Sequence, residues 1–350
     1  MIDYMLESSE RMQDVMLSDI LYDTALKVSQ EEFDEIIIIA HGSSYNAAMM
    51  VLNIINWLFY IPVKVIFPAE FDIDFLIKKK KKFLFIGISQ TGTSMGVIDS
   101  FKTILSNNPS AVTLSISENE NKGLAKICKY NLRMYCGEED SNAKTKGVTC
   151  TVLVIIRFFL ELSKIREEIK ENEYNSMFKE LTLTALKQND YIKQTIEYLS
   201  RTKTDVNSFR TVLFLAESNK GILCEGELKL METLCIPCNG VYLNEFQHGV
   251  HRTVNETSYI VMLHSHNKKC DIIKTYNFFK EKTYNIIVVS STENNLGFDS
   301  LRLDIKNSID SLFANLAVIQ ALSYFLPAKN GLDPNRPSND LYPLEMKTRL

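Results

Sequence analysis

Short runs of aliphatic and β-branched residues alternate along this chain with longer stretches of helical periodicity, and they do so twice over. That alternation is the pattern of parallel strands joined by crossover helices. In the first half the runs fall at 35–40, 63–67, 83–88, 111–116 and 132–135; in the second, at 211–216, 236–242, 258–263, 285–290 and 301–304. Each is nearly all apolar rather than alternating, as expected of strands that helices cover on both faces. The halves also correspond in order: IIIIAHGSSYNAA with VLFLAESNKGILCEG, FLFIGIS with YIVMLHS, VTLSISENEN with IIVVSSTENN. The expectation is a duplicated α/β unit, each copy a five-stranded parallel sheet flanked by helices. A charged stretch at 151–200, without Gly or Pro, closes the first copy and crosses to the second, placing the domains at 1–170 and 171–350. A chain of 350 residues is longer than one core usually holds, which agrees with two domains.

Composition excludes several classes. Hydrophobic residues at 45% and charged residues at 23% describe a globular rather than a disordered chain. A formal charge of −4 leaves no footprint for nucleic acid or an anionic membrane. The lysine run at 78–82 directly precedes an apolar run and reads as a solvated loop entering a strand. The start, MIDYMLESSERMQDVM, is acidic and amphipathic, unlike a signal peptide, and the apolar tracts are interrupted short of the ~20 residues of a membrane span. Seven irregularly spaced cysteines suit a reducing, cytoplasmic setting. Cys235-Ile236-Pro237-Cys238 has redox spacing, but it follows a helix in an extended run and has no second pair. His264 with His266, and His248 with His251, lack a third ligand, so neither metal nor cofactor is expected. Trp57, with Phe59 and Tyr60, reads as core at a helix end.

Two loops suggest an anion site. Ser89-Gln90-Thr91-Gly92-Thr93-Ser94 lies between the apolar run 83–88 and a helical stretch at 95–105. A strand, a Gly- and hydroxyl-rich turn and a helix start together present outward N–H groups, a favourable dipole and hydroxyl donors. His41-Gly42-Ser43-Ser44-Tyr45-Asn46 repeats the pattern after the first strand. Neither loop has the GK[ST] of a P-loop or a G-x-G-x-x-G, so a single phosphate on a small molecule fits better than a nucleotide. Each loop, taken alone, is also what caps an ordinary helix.

The second half holds a candidate acid–base set. In CEGELKLMET, Glu225, Lys229 and Glu232 are spaced i, i+4, i+7 on one helical face, a spacing also common in solvated ion-pair stripes. His248, within NEFQHG, carries an imidazole, a side chain suited to acid–base work, and stands beside a glycine in a polar loop. Moving a proton between adjacent sugar carbons needs one carboxylate base and one group that opens the ring, and Glu232 with His248 supplies both types.

These motifs, in this order, resemble the double-SIS phosphosugar isomerase family, which includes the isomerase domain of glucosamine-6-phosphate synthase and the fructosamine-6-phosphate deglycases. HGSSYNAA is similar to the family's G-T-S-Y-x-A loop and SQTGTS to its S-Q-S-G-E-T loop. GEEDSNAKTKGVTCTVL is similar to E-x-x-V-A-x-T-K, and CEGELKLMET with NEFQHG to L-E-G-x-L-K-x-x-E and E-x-x-H-G-P. The resemblance covers essentially the whole chain, including the opening 5–11, where Glu7 matches an E-Q-P start. It implies two tandem SIS domains, and phosphate contacts from Ser43, Ser44, Ser89, Gln90, Thr91 and Ser94. It places Asn142 and Lys144 beside the sugar, makes Glu232 the base between C1 and C2, and gives Glu225 and Lys229 the task of orienting it. His248 would help open the ring in a neighbouring subunit's site, which implies a homodimer with shared active sites.

The sequence departs from the family at Thr93, Lys144 and Val250, and in the tail Asp333 to Pro343, where Tyr342-Pro343 occupies the place of a catalytic lysine. Lys347 is the stand-in the tail offers. The glutaminase segment of the synthase is missing, so ammonia supply from glutamine is not expected. Three functions follow. The first is aldose–ketose isomerisation of a hexose or amino-hexose 6-phosphate. The second is fructosamine-6-phosphate deglycation on the same scaffold. The third is non-catalytic sensing of a phosphosugar, against which the pairing of Glu232 with His248 argues.

Overall fold

Every paired strand in the computed structural model runs parallel to its neighbour. The structure describes the chain except residues 203, 204, 206, 207, 265–268, 293, 294, 340 and 350. His266, Asp340 and part of the IIVVSSTENN match therefore lie outside the described residues. The first sheet contains β1 (Glu35–Ala40), β2 (Val63–Ile66), β3 (Phe83–Ile88), β4 (Val112–Ser117) and β5 (Tyr130–Arg133), in the order β2-β1-β3-β4-β5. The second contains β6 (Thr211–Ala216), β7 (Cys238–Tyr242), β8 (Ser258–Leu263), β9 (Ile286–Ser291) and β10 (Leu301–Leu303), in the order β10-β9-β8-β6-β7. Read from its other edge, the second order is the first again, so the duplication seen in sequence is a duplication of topology. β1, β4 and β8 are buried along their whole length, as the unbroken apolar runs required.

The chain divides into two compact units. The first-sheet unit comprises Ser8–Glu139, Lys146–Ala185 and Asn339–Leu350; the second-sheet unit comprises Met1–Glu7, Asp140–Thr145 and Leu186–Ser338. In the first, the helix Lys146–Ile165 is the central pillar, buried from 146 to 163, with the helices Ser8–Leu17, Ile20–Ser29 and Gly42–Leu58 packed on it. The stretch at 151–200 falls in two helices, because the chain breaks after Ile165 and Glu167 takes a positive φ of 58°. The apolar first piece is core, and the charged second piece, Glu171–Arg201, carries the polar sequence. In the second-sheet unit the equivalent pillar is Ser308–Lys329, against which Lys220–Leu234 packs. It is long and apolar enough to cross a membrane, but 83% of its apolar window is buried inside the protein, the mark of a core helix.

Local departures from the sequence reading have local causes. β5 ends at Arg133, inside the run at 132–135, since Tyr135 adopts φ +60° and cannot continue a ladder. β7 begins at Cys238, because Cys235 ends the preceding helix in the left-handed region. Trp57 is 57% exposed rather than core; Phe59 takes the buried place, stacking on Phe33 with a centroid separation of 6.4 Å. Helical geometry turns residues two apart to different faces, so an aromatic cluster at a helix end cannot all point inward.

The lysine run does more than enter a strand. Glu35, the first residue of β1, has a side chain only 3% exposed, and Lys64, Lys79 and Lys81 converge on it at 2.7, 3.3 and 3.2 Å. Burial pushes its carboxyl up, but the hydrogen bonds from the lysines outweigh that and hold it down at about 2. A group depressed in the folded state stabilises the fold above its unfolded value and loses that contribution as pH falls through the folded one. Glu35→Gln should therefore cost on the order of 2 kcal/mol near pH 7, a figure reduced by screening of the exposed lysines. The deficit should shrink between about pH 4 and pH 2. Urea titrations of both proteins across that range are the check; a pH-independent difference would reject the ion cluster as its source.

Candidate functional site

In the first-sheet unit, β1 and β3 are adjacent, with Ala40 opposite Ile88, so the loops that follow them emerge side by side at the carboxyl edge. This is also where the strand order reverses direction, the place at which open α/β sheets bind ligands. The loop after β3 is tightly built. Gly92 takes φ +71° and its N–H donates to the Ser89 carbonyl at 2.9 Å, while its own carbonyl accepts the Leu124 N–H at 2.9 Å. A Cβ on Gly123, itself at φ +49°, would collide with that Gly92 carbonyl, so the close approach requires glycine there. The Gln90 carbonyl accepts the Glu118 N–H at 2.9 Å.

The helices that follow, Gly42–Leu58 and Met95–Asn107, are not capped by side chains: neither His41 nor Ser94 makes a side-chain cap bond. The ordinary purpose of hydroxyl-rich turns is thus not the one realised here. Among the described residues, the N–H groups of Gln90, Thr91 and Thr93 find no backbone acceptor. Ser89 Oγ accepts the Ser94 N–H at a long 3.4 Å, and the hydroxyls of Thr91 and Thr93 pair at 2.7 Å. Successive outward N–H groups beside hydroxyls form an anion-binding concavity. Ser43 and Ser44 stand half-buried in the first turn of the neighbouring helix. The carbonyl of Thr348 already accepts the Met95 N–H at 3.1 Å, and Arg349 pairs with Ser94 in an antiparallel bridge.

In the second-sheet unit, Glu225, Lys229 and Glu232 form one row on the helix Lys220–Leu234. The row is not a solvated stripe. Lys229 is 1% exposed and Glu225 0%, while Glu232 is 32% exposed. Lys229 Nζ donates to Glu232 Oε2 at 2.7 Å and lies 3.6 Å from Glu225 Oε1. The helix packs on Ser308–Lys329 and, on a face turned away from the row, comes close to the sheet. A Cβ on Gly226 would lie 2.9 Å from the Phe214 ring of β6, and one on Gly240 of β7 would lie 2.6 Å from the Leu223 carbonyl. The inner end of the row is buried within the second-sheet unit, and of the three side chains only the last carboxylate reaches the surface.

His248 sits on a short 3-10 turn, Phe246–His248, beside Gly249 at φ +133°. Phe246 is buried against Phe279, with centroids 5.1 Å apart, and this anchor leaves His248 exposed. Asn142 donates its N–H to Asn335 Oδ1 at 3.1 Å and its amide to the Asn335 carbonyl at 3.3 Å, tying it to the start of the tail. Lys144 is half-buried in the same segment. Tyr342 is exposed, as is Lys347. The Cys235–Cys238 pair is split, one exposed and the other buried with its thiol pushed up to about 12 by burial, an inert pair of environments. His264 is buried beside Glu217, with Nδ1 3.1 Å from the carboxylate.

Sequence reasoning missed Glu118 and Glu139. Both contact the loop after β3, Glu118 through Gln90's carbonyl and Glu139 through its side chain at 3.3 Å. The second pair is separated by 49 positions, and no spacing rule links them. Glu139 was visible only as the Glu of the GEEDSNAKTK segment.

Two five-stranded parallel sheets of one topology, flanked by helices, match the architecture of tandem SIS α/β domains. Residues 31–161 match the SIS domain family. Over 328 residues the chain is 23% identical to the glutamine–fructose-6-phosphate aminotransferase (isomerizing) of Streptococcus pyogenes serotype M1, covering 91% of this chain and 52% of that protein. The chain is homologous to the isomerase domain of that aminotransferase and spans about half the length of the curated relatives it matches. A crystal structure from Clostridium difficile 630, proposed to be a phosphosugar isomerase, has a TM-score of 0.89 at 26% identity, covering 98% of this chain and 97% of that one. The C-terminal domain of glucosamine-fructose-6-phosphate aminotransferase from Francisella tularensis shares the fold, with a TM-score of 0.78 at 22% identity over 96% and 97% of the two chains.

The buried lysine makes a stability prediction. Lys229→Met leaves the Glu225 carboxylate in a dry site without its cation and should cost about 3–5 kcal/mol. Adding Glu225→Leu should recover most of that loss, as measured by guanidinium unfolding; a double variant no better than the single would remove the ion pair as the cause.

Proposed function

We propose that this protein is an aldose–ketose isomerase of a hexose or amino-hexose 6-phosphate. The observation that carries the reading is the split character of the Glu–Lys–Glu row: a buried lysine fixes, at 2.7 Å, the one carboxylate that solvent and substrate can reach. Such a carboxylate is held in one geometry and is free to take a proton from a carbon acid. The hydroxyls of the loop after β3, and its N–H groups without a backbone acceptor, are suited to a phosphate, with Ser43, Ser44, Ser89, Thr91 and Ser94 as its contacts. In this reading Glu232 moves the proton between C1 and C2, and Lys229 and Glu225 orient it. His248 assists ring opening, and Asn142 and Lys144 face the sugar. The same groups support release of an amine from a fructosamine 6-phosphate. The tail favours this second reading, because Tyr342 stands where the synthase-like motif carries its lysine.

Incubation with fructose 6-phosphate, glucosamine 6-phosphate and a fructosamine 6-phosphate in heavy water, followed by NMR, separates the readings. Deuterium at C1 or C2 with an aldose–ketose product supports the isomerase; a free amine with a hexose phosphate supports the deglycase. Binding without exchange would reject both in favour of a sensor. Glu232→Gln should bind the sugar phosphate normally and lower kcat by about 10²–10⁴-fold, and unchanged turnover would remove it as the base. We further propose a homodimer in which His248 serves the neighbouring copy. Mixing inactive Glu232→Gln and His248→Ala proteins should then restore up to about a quarter of the activity, through mixed dimers holding one intact site. No recovery after subunit exchange would assign His248 to its own chain.

A further inference from the structure

We propose that Glu139 is a positioning residue for the loop after β3, holding Gln90 so that the loop presents its N–H groups to a phosphate; this rests on the phosphate-binding reading above. A carboxylate close to an anion site is unfavourable unless it serves another purpose, and the geometry supplies one. Glu139 Oε2 accepts two hydrogen bonds, from the Gly147 N–H at 3.0 Å and from Gln90 Nε2 at 3.3 Å. An ionised carboxylate only accepts, so it turns the Gln90 amide with its NH₂ toward Glu139. That NH₂ also lies 3.7 Å from Cys136 Sγ. With its amide hydrogens directed inward, Gln90 contributes to phosphate binding through its backbone and by fixing the loop, rather than through its side chain.

The clamp is built from several elements. A Cβ on Gly147 would collide with the Gln90 amide, so the first turn of the helix Lys146–Ile165 can receive that side chain only because it has glycine there. Cys136 Sγ in turn lies 3.4 Å from Glu118 Oε2, which accepts the Cys136 N–H at 3.0 Å. Burial, with Glu118 and Glu139 nearby, pushes the Cys136 thiol well up, so it remains a neutral S–H. Glu118 is anchored by Arg133 of β5 at 2.9 and 2.8 Å. Gln90 is therefore fixed at both ends, its carbonyl by the Glu118 N–H and its amide by Glu139. Glu139 never needs to touch the ligand to set its affinity.

The test is a double-mutant cycle read by calorimetric binding of inorganic phosphate and of fructose 6-phosphate. Gln90→Ala and Glu139→Ala should each weaken binding by about tenfold, and the double variant by little more than either alone, since both break one contact. Glu139→Gln keeps an acceptor for the Gly147 N–H and safeguards the fold; it should weaken binding less than the alanine. Melting temperatures read the helix-capping role separately, and a purely structural Glu139 would lower them without changing phosphate affinity. That outcome, or full additivity in the cycle, overturns the proposal. Loss of binding in Gln90→Ala but not in Glu139→Ala rejects Glu139 alone. Binding that ignores both variants and also Ser89→Ala rejects the phosphate role of the loop and, with it, the proposal.

Discussion

Parallel pairing is the constraint from which everything else in this molecule follows. Strands that all run one way need a crossover after each, and the crossover helices cover both faces of the sheet. Charged side chains are then kept off the faces of the central strands and gather where the strands begin and end. The carboxyl edge of the first sheet collects the loops after β1 and β3. The amino edge also holds a charge, Glu35, and because that position is dry, three lysines gather around it. One geometric rule thus places both the glycine- and hydroxyl-rich loops and the cation-clad carboxylate.

The sheets were legible in the sequence because burial on both faces leaves an unmistakable mark, an apolar run that does not alternate. The loops were legible for a related reason: glycine and hydroxyl residues directly follow the runs at 35–40 and 83–88, where the chain turns into a helix. The helical row of Glu225, Lys229 and Glu232 was legible only in part. Spacing fixes that three residues share a face, but not whether the face turns to water or to a sheet. That is decided by how the helix stacks on its neighbours, Ser308–Lys329 among them. Trp57 failed in the mirror sense, since nothing in an aromatic cluster says which ring the core can hold.

Long-range polar contacts were the least visible layer. Gln90 and Glu139 are remote in sequence and join only once β5 and the helix Lys146–Ile165 have been placed. Lys79 and Lys81 were indistinguishable from their neighbours in the run until Glu35 was found beneath them. Such pairs leave no periodic trace, because they depend on how elements stack rather than on what each element is.

The bond between Thr348 and Met95 carries its own implication for ligands at the first-sheet loops. The helix end there is already occupied by a peptide carbonyl, so for that N–H group anion capture is substitution rather than addition. A newcomer gains only the difference between its own oxygen and an amide oxygen, which is small for neutral acceptors and larger for a charged one. The incumbent thereby acts as a threshold. Sugars and alcohols, whose oxygens are no better than the carbonyl, have nothing to gain by displacing it, whereas a dianion does. If the loops take a sugar phosphate, as proposed, discrimination between phosphorylated and unphosphorylated forms of one sugar is set partly by what must leave, as well as by what binds.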